Sequence, residues 1–239
     1  MRPVARSGCV GLTRMVPHLV QWKRGRFLRD GRHAVDFDNN DKRIAHWRLM
    51  LCRSLDDIPK FPLPEGYRFV FYGPGDRDTW IEIEQSAKEF DTREQGEAAW
   101  ARYFGGHEAE LPERMIFIED ASGTKVATAT AYYDPFGRDT SGSAWLHWVS
   151  VRRDQQGRGL SKPLVCEAFR IMRELGYTNV IIPTQTNTWL AVKVYLDLGC
   201  RPTPENAVES ETGWRIVRTL TNHPALASFA PLEIDEMLA

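Results

Sequence analysis

Residues 145–151, Trp-Leu-His-Trp-Val-Ser-Val, read as a strand, and the glycine-bearing loop just downstream constrains the fold more than any other stretch. After the polar turn at 152–155 comes Gln156-Gly157-Arg158-Gly159-Leu160-Ser161, which runs directly into a helix-like segment over about 162–175. A strand, then glycines, then a helix start is a device for holding phosphate. Small residues let the backbone approach an oxyanion, and the unpaired N–H groups of the first helical turn point at it. Gly157 and Gly159 can take a positive φ at no Cβ cost, while Gln156 and Arg158 offer side-chain donors. Two better-known glycine devices are excluded. A P-loop needs a longer glycine spacing closed by Lys and Ser/Thr. A dinucleotide fingerprint needs a third glycine and an acid ending the next strand, and residues 179–183 end without one.

A second motif lies downstream: Asn187, Ala191, Tyr195 and Gly199, each four residues apart. Together the two segments resemble the GCN5-related N-acetyltransferases. Their acyl-CoA pyrophosphate loop reads Gln or Arg, any, any, Gly, any, Gly or Ala; here Gln156 and Gly159 match and Ser161 takes the last place. The resemblance covers about 67–219. It implies an α/β (α+β) fold: a mixed, mostly antiparallel central sheet of six to seven strands with helices on both faces. Its fourth and fifth strands would run parallel and splay apart, leaving room for a pantetheine arm.

The rest of the chain supplies the elements in order. Residues 45–52 and 66–72 read as strands, separated by a connector carrying Pro59, Pro62 and Pro64. Trp80, Ile81, Ile83 and Ala87 have helical spacing, and Glu82, Glu84 and Glu89 are expected on a solvated face, with one of them available to line a substrate cleft. A second helix spans about 92–104 and stops at Gly105-Gly106. Residues 114–119 and 126–133 form a hairpin around Gly123. After the phosphate loop and its helix come a short strand at 179–183, a helix at 187–198 and a last strand at 213–220.

For chemistry, the resemblance implies that Val149 and Val151 pair with the pantetheine amides. It also implies that Gln156, Gly157, Arg158, Gly159, Leu160 and Ser161 take the pyrophosphate, and that Asn187 binds the CoA arm. Tyr195 is the expected acid, since a phenol holds its proton at neutral pH. The base is left open. No acid occurs between Ser141 and Arg153, and His147 occupies that strand. Alternation places it on the face of Val149 and Val151. It resembles the histidine of the serotonin-acetylating branch of the family; Glu82, Glu84 or solvent are the alternatives. The implied function is acetyl transfer from acetyl-CoA to a primary amine of a small molecule by direct attack in a ternary complex. A non-catalytic acyl-CoA-binding module, or acetylation of a protein N-terminus or lysine, are the other readings.

With 239 residues, a net charge of −1 and 42% hydrophobic residues, the chain can bury a sizeable core and is no polyanion binder as a whole. Cys9, Cys52, Cys166 and Cys200 show no paired short spacing, which argues against a metal site or disulfide framework and for a cytoplasmic, reducing setting. No apolar run approaches membrane-spanning length, and no signal peptide is read. Residues 1–43 form a basic extension, expected to be disordered or loosely attached. A nucleic-acid arm, a transit-like segment or an upstream start with Met15 as the later one are its three readings. The acetyltransferase domain is placed at 44–220 and a tail at 221–239, docked or frayed. A homodimer is compatible with all of this.

Overall fold

The computed structural model describes residues 25–29, 33–38, 40–137, 139 and 141–239. The elements in chain order are β1 (Gly25–Arg29), β2 (His33–Phe37), β3 (Arg48–Ser54), β4 (Arg68–Phe71), α1 (Asp76–Ser86), α2 (Arg93–Phe104), α3 (Leu111–Arg114), β5 (Met115–Glu119), β6 (Lys125–Tyr132), β7 (Ala144–Val151), α4 (Ser161–Glu174), β8 (Asn179–Gln185), α5 (Trp189–Asp197), β9 (Arg201–Pro202), α6 (Pro204–Glu209) and α7 (Glu211–Thr221). Local chemistry sets several boundaries. Thr92 and Gln95 form a reciprocal capping box at the start of α2. Gly123, at φ 85°, closes the β5–β6 turn, and Gly176 and Gly199, both at positive φ, end α4 and α5.

Seven strands form one sheet in the order β4-β5-β6-β7-β8-β3-β9. Every neighbouring pair is antiparallel except β7 and β8. That parallel pair is in register at Ala144↔Val180 and Trp145↔Ile181 and no further. β8 instead spends its other edge on β3, from Ser54↔Asn179 to Arg48↔Gln185. From Leu146 onward β7 and β8 therefore diverge, as the family resemblance implied.

Alternation along β6 divides the core. Ala127, Ala129 and Ala131 face the cluster built with Leu164, Ala168 and Phe169 of α4 and Trp214 of α7. On the opposite face, Tyr132 meets an aromatic cluster around Trp80 of α1 and Trp100 and Phe104 of α2. α4, α5 and α7 thus cover one face and α1 and α2 the other.

One expectation is corrected, and the structure adds detail at both ends of the chain. Residues 213–220 are not a strand but most of α7. Gly213, Trp214, Ile216, Val217 and Leu220 are its buried residues, a helical spacing whose first few positions imitate alternation. The seventh strand is the two-residue β9. The extension before residue 44 is not uniformly disordered: β1 and β2 pair as a hairpin from Gly25↔Phe37 to Arg29↔His33. Phe37 and Ile44 are buried with Ile216 and Leu220 of α7. Finally, the tail is docked rather than frayed. Leu232, Ile234 and Met237 join that cluster, Ile44 bridges Leu238, and the Ala45 N–H donates to Met237 at 2.8 Å. Residues 1–24, with most of the basic segment and Met15, lie outside the described residues.

Candidate active site

β7 carries a bulge. Thr128 pairs with Ser150 and Thr130 with His147, so two residues of β7, Trp148 and Val149, oppose one of β6, Ala129. Trp148 absorbs the extra residue at φ 48°, a left-handed conformation unfavourable for an aromatic residue by about 1 kcal/mol or more. The indole is held there by Trp80, Phe90 and Tyr103, with ring centroids 5.4, 5.3 and 5.1 Å away. The bulge breaks strict alternation. Leu146 and Val151 remain on the α4 face with Val149 packed beside them, whereas Trp148 joins the α1–α2 face. His147 follows it there: its ring stacks on Trp145 at 5.8 Å and tilts against Tyr103 at 5.5 Å. The expectation that His147 shares a face with Val149 and Val151 is overturned.

Divergence of β7 from β8 opens a cavity of about 580 Å³ that reaches both the strand edge and the α1–α2 face. Val149, Val151, Gln156, Gly157, Ser161, His147 and Tyr195 all line it. The sequence elements read as donor site and acid are thus brought together. At the loop, Gly157 and Gly159 adopt φ 78° and 81°. A Cβ on Gly157 would meet nothing within 4 Å, so the backbone there is open to a close-approaching group. α4 begins without a side-chain cap, and Pro163 in its first turn has no N–H to satisfy. These features fit an anionic diphosphate, and the unpaired edge of β7 fits the amides of a pantetheine chain.

Several sequence-derived residues sit differently from expectation. The Gln156 side chain donates to the Val151 carbonyl at 3.0 Å, so it ties the loop to the strand end. Leu160 is buried in the core, and neither it nor Arg158 nor Gly159 lines the cavity. Asn187 is also absent from the lining. Its side-chain amide donates to the carbonyls of Asp41 and Ile44 at 2.8 and 3.0 Å, clamping the N-terminal segment against the helix start.

Tyr195 is buried in α5. Burial, reinforced by Cys200, Glu89 and Glu84, raises its pKa, so the phenol keeps its proton. Two carboxyl groups expected on a solvated face complete the cavity instead. Glu84 lies on the buried face of α1. It is fully enclosed, accepts from Ser150 Oγ at 2.5 Å through Oε2, and leaves Oε1 without a hydrogen-bond partner. Burial first and neighbouring Glu89 second push its pKa well up. Glu89 lies just past α1, turned back by Lys88 at φ 67° and by its own N–H bonding to the Glu84 carbonyl at 3.0 Å. Burial raises its pKa to about 7. The helical spacing of Trp80, Glu84 and Ala87 is the signal that places Glu84 inward; nothing local in the sequence announces the turn that brings Glu89 back.

Comparison with known proteins identifies the family. The profile of the acetyltransferase (GNAT) family covers residues 77–200, that is 124 of the chain's 239 residues. The chain belongs to that family. It is 26% identical over 156 residues to a mycothiol acetyltransferase of Pseudarthrobacter chlorophenolicus, across 64% of this chain and 48% of that one. A mycothiol acetyltransferase of Catenulispora acidiphila is 27% identical over 165 residues, across 63% of this chain and 49% of that one. The chain therefore spans about half the length of these curated relatives. Among solved structures, a GCN5-related N-acetyltransferase from Sphaerobacter thermophilus shares the fold with a TM-score of 0.53 at 24% identity, covering 67% of this chain and 49% of that one. A GNAT-family acetyltransferase from Colwellia psychrerythraea does so at 0.51 and 14% identity, covering 68% and 56%. Among the described residues no helix is long and apolar enough to cross a membrane, and no group of three or more His, Cys, Asp or Glu side chains is placed to hold a metal.

Proposed function

We propose that this chain is an acyl-CoA-dependent N-acyltransferase that moves an acetyl group to the primary amine of a small molecule by direct attack in a ternary complex. The observation that carries this reading is a single cavity joining the split between β7 and β8, the glycine loop before α4, and the Tyr195 phenol. The two curated relatives are named for acetyl transfer and mycothiol, which supports a small-molecule acceptor. Bound acetyl-CoA would supply the acetyl thioester. Its diphosphate is assigned to the backbone from Gly157 to Ser161 and its amides to the β7 edge at Val149 and Val151.

The chain's own groups then handle protons. Glu89 is close to half ionised at neutral pH, which suits a general base. Glu84, fully enclosed beside it, holds its own proton and limits charge repulsion. Of the two protons an ammonium group loses on becoming an amide, one leaves through Glu89 to solvent. The other replaces the proton that Tyr195 gives to the departing sulfur. His147, stacked on Trp145, forms part of the acceptor wall in this scheme.

Thiol release from acetyl-CoA with a panel of primary amines tests the reading. Turnover is expected, and Tyr195→Phe should lower kcat by about 100-fold or more while leaving CoA affinity by calorimetry unchanged. CoA binding without thiol release from any amine would instead establish a binding module.

A further inference from the structure

The cavity has a charge pattern that a simple alkylamine does not satisfy. Its two carboxyl groups, Glu84 buried and Glu89 half-buried, are pushed toward their neutral forms, but two guanidinium groups, Arg48 and Arg102, also line it. Neither makes an ion pair among the described residues. Arg102 is the better placed of the two. It lies over the rings of Phe136 and Tyr103 at 5.2 and 5.9 Å, which fixes its position without consuming its donors.

Its location also argues against a role with the donor. Tyr103 touches His147 near the start of β7, whereas the glycine loop follows the end of that strand. Six residue steps from Trp145 to Val151 separate the two ends by about 20 Å. Arg102 is therefore at the acceptor end. Tyr103, Phe136, Trp145 and His147 form an aromatic wall at this end, and ring contacts continue from Tyr103 through Trp148 to Phe90, the neighbour of Glu89. Of the two carboxyl groups lining the cavity, Glu84 is fully enclosed, and Glu89 is the more exposed one that can meet a cation.

We infer that the acceptor is a zwitterion, an amine that also carries a carboxylate and an apolar or aromatic body. Its ammonium group would sit at Glu89, its body against the Tyr103–Trp145 wall, and its carboxylate on the fork of Arg102. This rests on the acyltransferase reading and narrows its substrate class. A planar guanidinium recognises a carboxylate through two parallel bonds, and an uncharged analogue forfeits both.

Matched pairs of amines isolate the carboxylate: L-phenylalanine with 2-phenylethylamine, and L-leucine with 3-methylbutylamine, each assayed by thiol release from acetyl-CoA. The carboxylate-bearing member of at least one pair should have a kcat/KM about 10- to 100-fold higher than its partner. In Arg102→Gln that ratio should fall toward one, mainly through KM, while CoA affinity by calorimetry is retained and reports a folded protein. Equal or better use of the decarboxylated member in both pairs overturns the inference but leaves the acyltransferase reading standing. So does a preference that survives Arg102→Gln. Turnover of other amines with none of these carboxylates accepted has the same meaning. CoA binding with no turnover of any amine sinks the underlying reading instead.

Discussion

Replacing Glu89 by glutamine tests the proposed base through two independent readouts. The carboxyl group has a pKa of about 7 in the folded protein against an ordinary 4.5, because burial penalises its charge. The sign follows from proton counting. Between those values the unfolded chain has lost the proton and the folded chain retains it, so stability falls as pH rises through this window. At about 1.4 kcal/mol per pH unit, a gap of roughly 2.5 units amounts to about 3 kcal/mol, with about 2 kcal/mol lost between pH 5 and pH 8. A glutamine amide at this position carries no such charge. Urea unfolding should thus show Glu89→Gln gaining about 2 kcal/mol on the wild type on going from pH 5 to pH 8. In activity the change goes the other way. Wild-type kcat/KM should fall about tenfold per pH unit below pH 7 as the carboxylate is protonated, and Glu89→Gln should lose that limb together with about 100-fold or more of its rate. A stability difference independent of pH, or an unaltered acidic limb in the variant, would refute the reasoning. In that second outcome His147→Ala becomes the variant to examine.

Two glycines give further tests. Gly159→Ala meets no close atom, the nearest being Pro64 Cγ at 4.0 Å, but φ 81° is strained for any side chain. It should cost about 1 kcal/mol or more of stability and weaken CoA binding several-fold by calorimetry. Gly213→Ala puts a Cβ 2.6 Å from Trp47 Cβ, inside the contact between α7 and β3. A loss of about 1–3 kcal/mol is expected by thermal unfolding, with the CoA dissociation constant unchanged because the site lies elsewhere.

The features legible in the sequence were chiefly local. Strand β7, its glycine loop and α4 are contiguous, and each part has a chemical reason to follow the last: open backbone, positive φ, uncapped helix start. The capping box at Thr92 and Gln95 and the turn at Gly123 are equally short-range. The misreadings share a different cause. Alternation assumes a regular strand, and the bulge at Trp148 is created by packing against Trp80, Phe90 and Tyr103, residues 45–68 positions away along the chain. α7 imitates a strand over a window too short to separate a period of 2 from one of 3.6. Asn187 matches a family motif by spacing, but its partners, Asp41 and Ile44, come from the edge of an N-terminal segment whose composition suggests a loose extension. Glu89 is the extreme case, because its altered acidity arises from burial beyond a helix end.

The bulge also explains why donor and acceptor chemistry can share one strand. In a regular β7, His147, Val149 and Val151 would face one side together and Trp148 and Ser150 the other. One extra residue at Trp148 lets Val149 and Val151 stay against the α4 core, beside the edge that diverges from β8. It also turns Ser150 to Glu84, and His147 to the aromatic wall. The Trp148 indole, wedged among three rings, offsets the cost of its left-handed backbone by filling the space between α1 and the sheet. The strain is thus sustained by packing on the α1 face, the same face on which Ser150 meets the buried Glu84.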